Sequence, residues 1–117
     1  MHCREVNLEQ GMPPADRAIR RLTYELHSSR DLGYGAVKLI HGYGSSGAGG
    51  KIRTEARQYL SGLLRRGQIE GVVTGEHFSI FDETSRALLL RCPELRKDRD
   101  LDRHNNGVTF VLLKRKT

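Results

Sequence analysis

Two segments of this chain place apolar residues at helical spacing, and each is followed by an apolar run too short to be a helix. Ala15, Ala18, Ile19, Leu22 and Leu26 fall on one stripe, with Arg17, Arg20 and Arg21 elsewhere around the turns. Ile52, Ala56, Tyr59, Leu60, Leu63 and Leu64 repeat the pattern further along. After the first stripe comes Ala36-Val-Lys-Leu-Ile40, and after the second Ile69 to Thr74. A helix with one apolar stripe must bury it, and a short apolar run bounded by glycine suits a buried strand. The alternation therefore demands helices laid on a sheet.

The flanks complete the pattern. Arg4 to Leu8 reads as a first strand, and Pro13-Pro14 suits a helix start because the first amides of a helix have no internal partner. Asp16 favours the positive helix end, and this helix is expected to finish near Ser29. Gly67 is a natural stop for the second helix. Asp82 is positioned to cap a short helix through Ala87 to Leu90, which Cys92-Pro93 ends. A charged loop from Glu94 to His104 and an Asn105-Asn106-Gly107 turn lead to a last strand, Val108 to Leu113. The expected fold is α/β, a two-layer sandwich in which a small mixed four-stranded sheet carries two main helices. Its 117 residues suit one domain, 1–117, with a core that is aliphatic because aromatics are only 6%.

Charge narrows the partners. The formal net charge is +6, and it is local: Lys51, Arg53, Arg57, Arg65 and Arg66 face one acid, Glu55, within 51–66, while residues 1–35 balance five bases against five acids. A further basic group, Lys114-Arg115-Lys116, lies in the tail. Such clustering points to a polyanion, DNA or RNA. The amino-terminal residues carry no apolar signal core and no run spans a bilayer, so no membrane partner is expected and the protein is expected to be cytoplasmic. Cys3 and Cys92 form no C-x-x-C pair, which suits reduced thiols.

The most informative stretch is His41-Gly-Tyr-Gly-Ser-Ser-Gly-Ala-Gly-Gly-Lys-Ile-Arg53, joining the end of a strand to the start of a helix. Unpaired amides and the positive end of the helix dipole meet there, glycines allow close approach, and Lys51 and Arg53 add charge. It is not a Walker A loop, since Ser45 stands at the first glycine position and Ile52 at the hydroxyl position. Gly42, Gly44 and Gly47 satisfy G-x-G-x-x-G, but no suitably placed acid follows. His41 borders this anion site, where its titration range suits proton transfer. The other histidines, His2, His27, His77 and His104, have no metal-site spacing.

VKLIHGYGSSGAGGKIR resembles the central motif of the Smr (small MutS-related) domain, in which a strand runs into H-G-x-G, a glycine loop and a helix opened by an apolar-Arg pair. Asn106-Gly-Val-Thr-Phe-Val-Leu-Leu-Lys114 resembles the closing strand. The resemblance implies a stand-alone Smr domain with nicking endonuclease activity on DNA or RNA. It makes His41 and Glu9 the candidate catalytic residues, and Gly42, Gly44, Gly47, Lys51, Arg53 and Arg57 the candidate phosphate contacts. A divalent cation such as Mg²⁺ is the cofactor such chemistry could use. Two features depart from the family. Its first motif, Leu-Asp-x-His-Gly, corresponds here to Val6-Asn7-Leu8-Glu9-Gln10, with Asn7 in place of the acid and Glu9 in place of the histidine, and residues 75–104 form an insertion with a short helix and a charged loop. These departures set up the alternative, a non-catalytic module that binds RNA or a ribosome. A third reading, a small-molecule phosphate binder, requires a closed pocket over the glycine loop.

Overall fold

A computed structural model of the chain describes residues 1–43 and 49–116. The elements are β1 (Cys3–Asn7), α1 (Ala15–Asp31), β2 (Ala36–Ile40), α2 (Gly49–Arg65), β3 (Ile69–Thr74), α3 (Glu83–Arg91) and β4 (Val108–Leu113), with single 3-10 turns at Gly75–His77 and Pro93–Lys97. Pro14 enters α1 from an extended conformation. The α2 helix closes with the Gln68 N–H returning to the Leu63 carbonyl at 2.9 Å, one residue beyond Gly67. Asp82 caps α3 by accepting the Ser85 N–H at 2.9 Å. These are the elements that spacing and capping chemistry call for.

The sheet order is β1-β2-β4-β3. β1 and β2 pair in parallel, and β4 is antiparallel to both its neighbours. β3 therefore runs in the same direction as β2, and both strand-helix-strand crossovers join parallel strands. The second crossover leaves a gap that the last strand fills. The mixed four-stranded sheet with two long helices on one face is the arrangement expected. Under α1 and α2, Val6, Leu8, Val37, Leu39, Val111 and Leu113 form the sheet side of the first core.

The other face is covered by residues 75–104. Phe78, Leu88, Leu89, Cys92 and Leu95 pack there against Ala36, Val73, Phe110 and Leu112, and the Phe78 and Phe110 rings lie 4.2 Å apart by centroid. Cys3, remote from Cys92 in sequence, packs against this same cluster. Both thiols are free, and burial pushes the Cys3 thiol up to about 12, so it stays protonated. No helix among the described residues is long and apolar enough to cross a membrane.

One residue of the apolar β2 run is charged. Lys38 is buried on the α3 face, with its Nζ 3.0 Å from both Asp98 carboxylate oxygens and 2.6 Å from Asp100 Oδ2. Burial works against the ammonium, but the hydrogen bonds it donates to Asp100 and Asp98 prevail and hold its pKa above the usual value. Asp100 is fixed in turn by the Asn105 side-chain amide at 2.9 Å. The charged loop is thus tied to the sheet by ionic contacts out of water, where losing one partner strands the others. Lys38→Met is expected to destabilise the protein by about 3 to 5 kcal/mol, measured as a shift in the urea unfolding curve at constant slope. A loss under 1 kcal/mol would show that the carboxylates are solvated after all.

Candidate nucleic-acid interface

Strand register brings the distinctive residues together. Asn7 lies beside Ile40, and Ile40 beside Val108, so Leu8-Glu9, His41-Gly42 and Gly107 meet just beyond one edge of the sheet. The Leu8 N–H donates to the Ile40 carbonyl at 2.8 Å, and the His41 and Gly42 N–H groups both donate to the Gly107 carbonyl at 3.0 Å. The first two strands are adjacent, as an approach of Glu9 to the glycine segment requires.

His41 is fully buried, on the helix side of the sheet. Its Nδ1 lies 2.8 Å from the Gly42 carbonyl, which can only accept, so Nδ1 carries the proton. Nε2 is then the acceptor of the Thr109 hydroxyl, 2.8 Å away. Arg57 Nε donates to the same hydroxyl oxygen at 3.0 Å. The rest of the Arg57 guanidinium grips Glu76 through two hydrogen bonds of 2.9 and 2.7 Å, with further contacts to the Val108 and Asn106 carbonyls. A continuous chain therefore runs Glu76, Arg57, Thr109, His41, Gly42. The bidentate bond to Arg57 holds the Glu76 carboxyl below its usual pKa. Burial, reinforced by the nearby Arg57 and Arg53 charges, lowers the His41 pKa to about 4 against the pull of the Gly42 carbonyl. The imidazole is neutral at pH 7, with both nitrogens committed.

The other candidates are arranged around this buried chain. Glu9, half-buried, lays its carboxylate on Gly42, which has a φ of +72°. A Cβ at Gly42 would stand 2.5 Å from Glu9 Oε2, so glycine is required by both backbone conformation and space. Asn7 is exposed, and its Oδ1 accepts the Glu9 N–H at 2.9 Å. Alternation with Val6 and Leu8, whose side chains enter the helix-side core, sends Asn7 to the face away from His41. Lys51 is exposed on the first turn of α2, and Arg53 and Arg57 line an open groove with Thr54, Gln58, Ser61 and Glu76, of about 430 Å³. Among the described residues neither Lys51 nor Arg53 has a carboxylate within ion-pair distance. Gly44 and Gly47 lie outside the described residues. Thr109, Glu76 and the Gly107 carbonyl are the site residues that motif reading missed. Thr109 is the one polar side chain in Val108 to Leu113, and that was the available signal.

Among the described residues the donor set does not make a metal site. No three His, Cys, Asp or Glu side chains group together among the described residues, and with His41 occupied, Glu9 is the one carboxylate or imidazole ligand beside Gly42 among the described residues.

The depressed His41 pKa makes stability depend on pH in a defined window. The unfolded chain takes up this proton near pH 6.5 and the folded protein only near 4, so between these values the unfolded state binds more protons and stability rises with pH. The contribution is fully present above 6.5 and is lost as pH falls toward 4, amounting to about 3 kcal/mol. Urea midpoints at pH 7 and pH 4.5 should differ accordingly, and His41→Gln should flatten that part of the profile. An unchanged profile would mean that the imidazole is solvent-accessible.

Neither a protein-family model nor a curated protein sequence matches the chain. Among solved structures the chain is similar to the Smr domain of Thermus thermophilus MutS2, with a TM-score of 0.58 and 22% identity over 95% of this chain and 98% of that one. The shared strand and helix arrangement places His41-Gly42 where the glycine segment leaves the sheet, and the fold of this chain is Smr-like.

Proposed function

We propose that this chain binds the phosphate backbone of nucleic acid through the amino-terminal half of α2, and that it does so without using His41 for catalysis. The observation that carries this reading is the start of α2, a 17-residue helix with no acid in its first turn, where Lys51 is exposed and Arg53 lines the groove whose one carboxylate, Glu76, is held by Arg57; among the described residues neither Lys51 nor Arg53 is ion-paired. Helix amides and uncommitted cations at one place attract phosphate oxygens. Thr54, Gln58 and Ser61 add neutral hydrogen-bonding groups along the same groove. Arg57 contributes its charge, but its donors serve the internal chain. The groove is open along its length, which suits a strand better than an enclosed small phosphate. The likeness to an Smr domain supports a nucleic-acid partner. Phosphate backbone is common to DNA, to RNA and to a ribosome. The reading places the protein in the cytoplasm, where Cys3 and Cys92 stay reduced.

His41 acts here as a fixed strut. A general base must reach the proton it takes, and this imidazole has neither exposure nor a free lone pair. A second reading, nicking endonuclease, draws on the Glu9 carboxylate poised over Gly42. The two separate cleanly when purified protein is incubated with supercoiled plasmid and with structured RNA, with and without Mg²⁺. Binding without cleavage is expected. Nicking that disappears in Glu9→Gln would establish the second reading instead.

Salt dependence tests the binding face itself. The logarithm of affinity should fall linearly with the logarithm of salt concentration, and Lys51→Ala and Arg53→Ala should each reduce the slope by about 0.9 on duplex DNA or about 0.7 on a single strand. Affinity that is independent of salt would overturn the proposal.

A further inference from the structure

Tyr43 stands where the glycine segment leaves the sheet, and it is 56% exposed although it follows the fully buried His41 by two residues. Its ring is supported from one side. A Cβ at Gly107 would stand 3.1 Å from Tyr43 Cδ1 and 3.5 Å from the Gly42 Cα, so the ring rests where Gly107 has no side chain. Gly107 is itself fixed, with its N–H donating to Asn105 Oδ1 at 2.9 Å and its carbonyl taking the His41 and Gly42 N–H groups. The carbonyls on either side of it, of Asn106 and Val108, receive the Arg57 guanidinium. One turn therefore carries the tyrosine ring and the arginine that lines the α2 groove with Arg53.

A single exposed aromatic needs no partner of its own, and Tyr24 on α1 is more exposed still. What sets Tyr43 apart is its setting, a ring with a fixed floor and an open side that shares its support with a cationic groove. A bare phosphate backbone along that groove would satisfy the cations and leave the ring unused. A chain with unpaired bases satisfies both, because every base has a π-face to lay on an aromatic side chain. A duplex does not, since its bases spend their faces on one another inside the stack. We propose that Tyr43 is the stacking platform for one unpaired base of a single strand whose phosphates lie along the Arg53 side of the α2 groove. The proposal rests on the nucleic-acid reading above and narrows it to strands with unpaired bases. Stacking addresses the base and not the sugar, so DNA and RNA strands are alike to this ring.

The test measures binding of the whole chain, at matched salt, to a short unstructured DNA strand, to a strand of the same length with every base removed, and to the corresponding duplex. Counterion release per phosphate is larger for a duplex than for a single strand. Charge alone therefore favours the duplex, and a preference for the single strand is the mark of base contact. The strand with bases should bind about tenfold more tightly than the abasic one, and Tyr43→Ala should remove that difference while the slope of affinity against salt stays as it was. Tyr43→Phe, which keeps the ring, should retain the affinity. Both changes fall on an exposed side chain and should leave the unfolding midpoint in place. The chain has four tyrosines and no tryptophan, so stacking should also quench the intrinsic tyrosine fluorescence, by an amount that Tyr43→Phe abolishes. An abasic strand or a duplex bound as tightly as the unpaired strand, full affinity in Tyr43→Ala, or equal losses in Tyr43→Ala and Tyr43→Phe would overturn the proposal and leave the nucleic-acid reading standing. No binding of any of the three ligands at low salt would overturn both.

Discussion

Arg57 is the tie that the site depends on. It leaves the middle of α2, meets Thr109 on the central strand β4, and ends on Glu76 in the turn after β3. In one side chain it fastens the helix layer, the sheet and the segment that crosses to the other face. The Thr109 hydroxyl passes this order on to His41, and His41 to the carbonyl of Gly42. Every member of the chain is satisfied only because its neighbour is in place, and partly satisfied polar networks out of water are costly. The backbone that leaves β2 toward the glycine segment is therefore held from beneath.

A second polar tie secures the opposite face. Lys38, with Asp98 and Asp100, replaces hydrophobic contact where the charged loop passes under β2. The same loop approaches the turn after β3 so closely that a Cβ at Gly75 would stand 1.8 Å from the Asn105 carbonyl oxygen. Residues 75–107 are thereby drawn across the sheet and delivered to the Gly107 turn, whose carbonyl takes the His41 and Gly42 N–H groups. The two ties converge on one edge of the sheet from opposite faces. A rigid edge of this kind suits recognition, because groups already in place lose little freedom when a ligand arrives.

The surface above that edge is divided by charge. Glu9 stands over Gly42, while Lys51 and Arg53 stand at the start of α2. A phosphate approaching from the α2 side meets cations, and one approaching from the β1 side meets a carboxylate.

Much of the architecture was legible in the chain itself. Helical spacing identified α1 and α2, Asp82 and Cys92-Pro93 framed α3, and the short apolar runs matched β2, β3 and β4, because each signal is local and depends on a few neighbouring residues. The resemblance of His41-Gly42 and its loop to an Smr motif was also carried by a continuous stretch. Strand order was not legible, since the insertion of β4 between β2 and β3 joins residues far apart in sequence. Nor was the environment of His41. A histidine next to glycines at a strand end has the same sequence whether it faces solvent or lies under Arg57 and Thr109, and only packing decides its exposure, its tautomer and its pKa. Lys38 makes the same point on the other face: the chain shows one lysine in an apolar run, and tertiary structure supplies the two aspartates, 60 and 62 residues later, that make its burial stable. Sequence determined which segments are helix and strand through periodicity, and tertiary structure alone decided which polar side chains are removed from water, because desolvation depends on everything that surrounds a group.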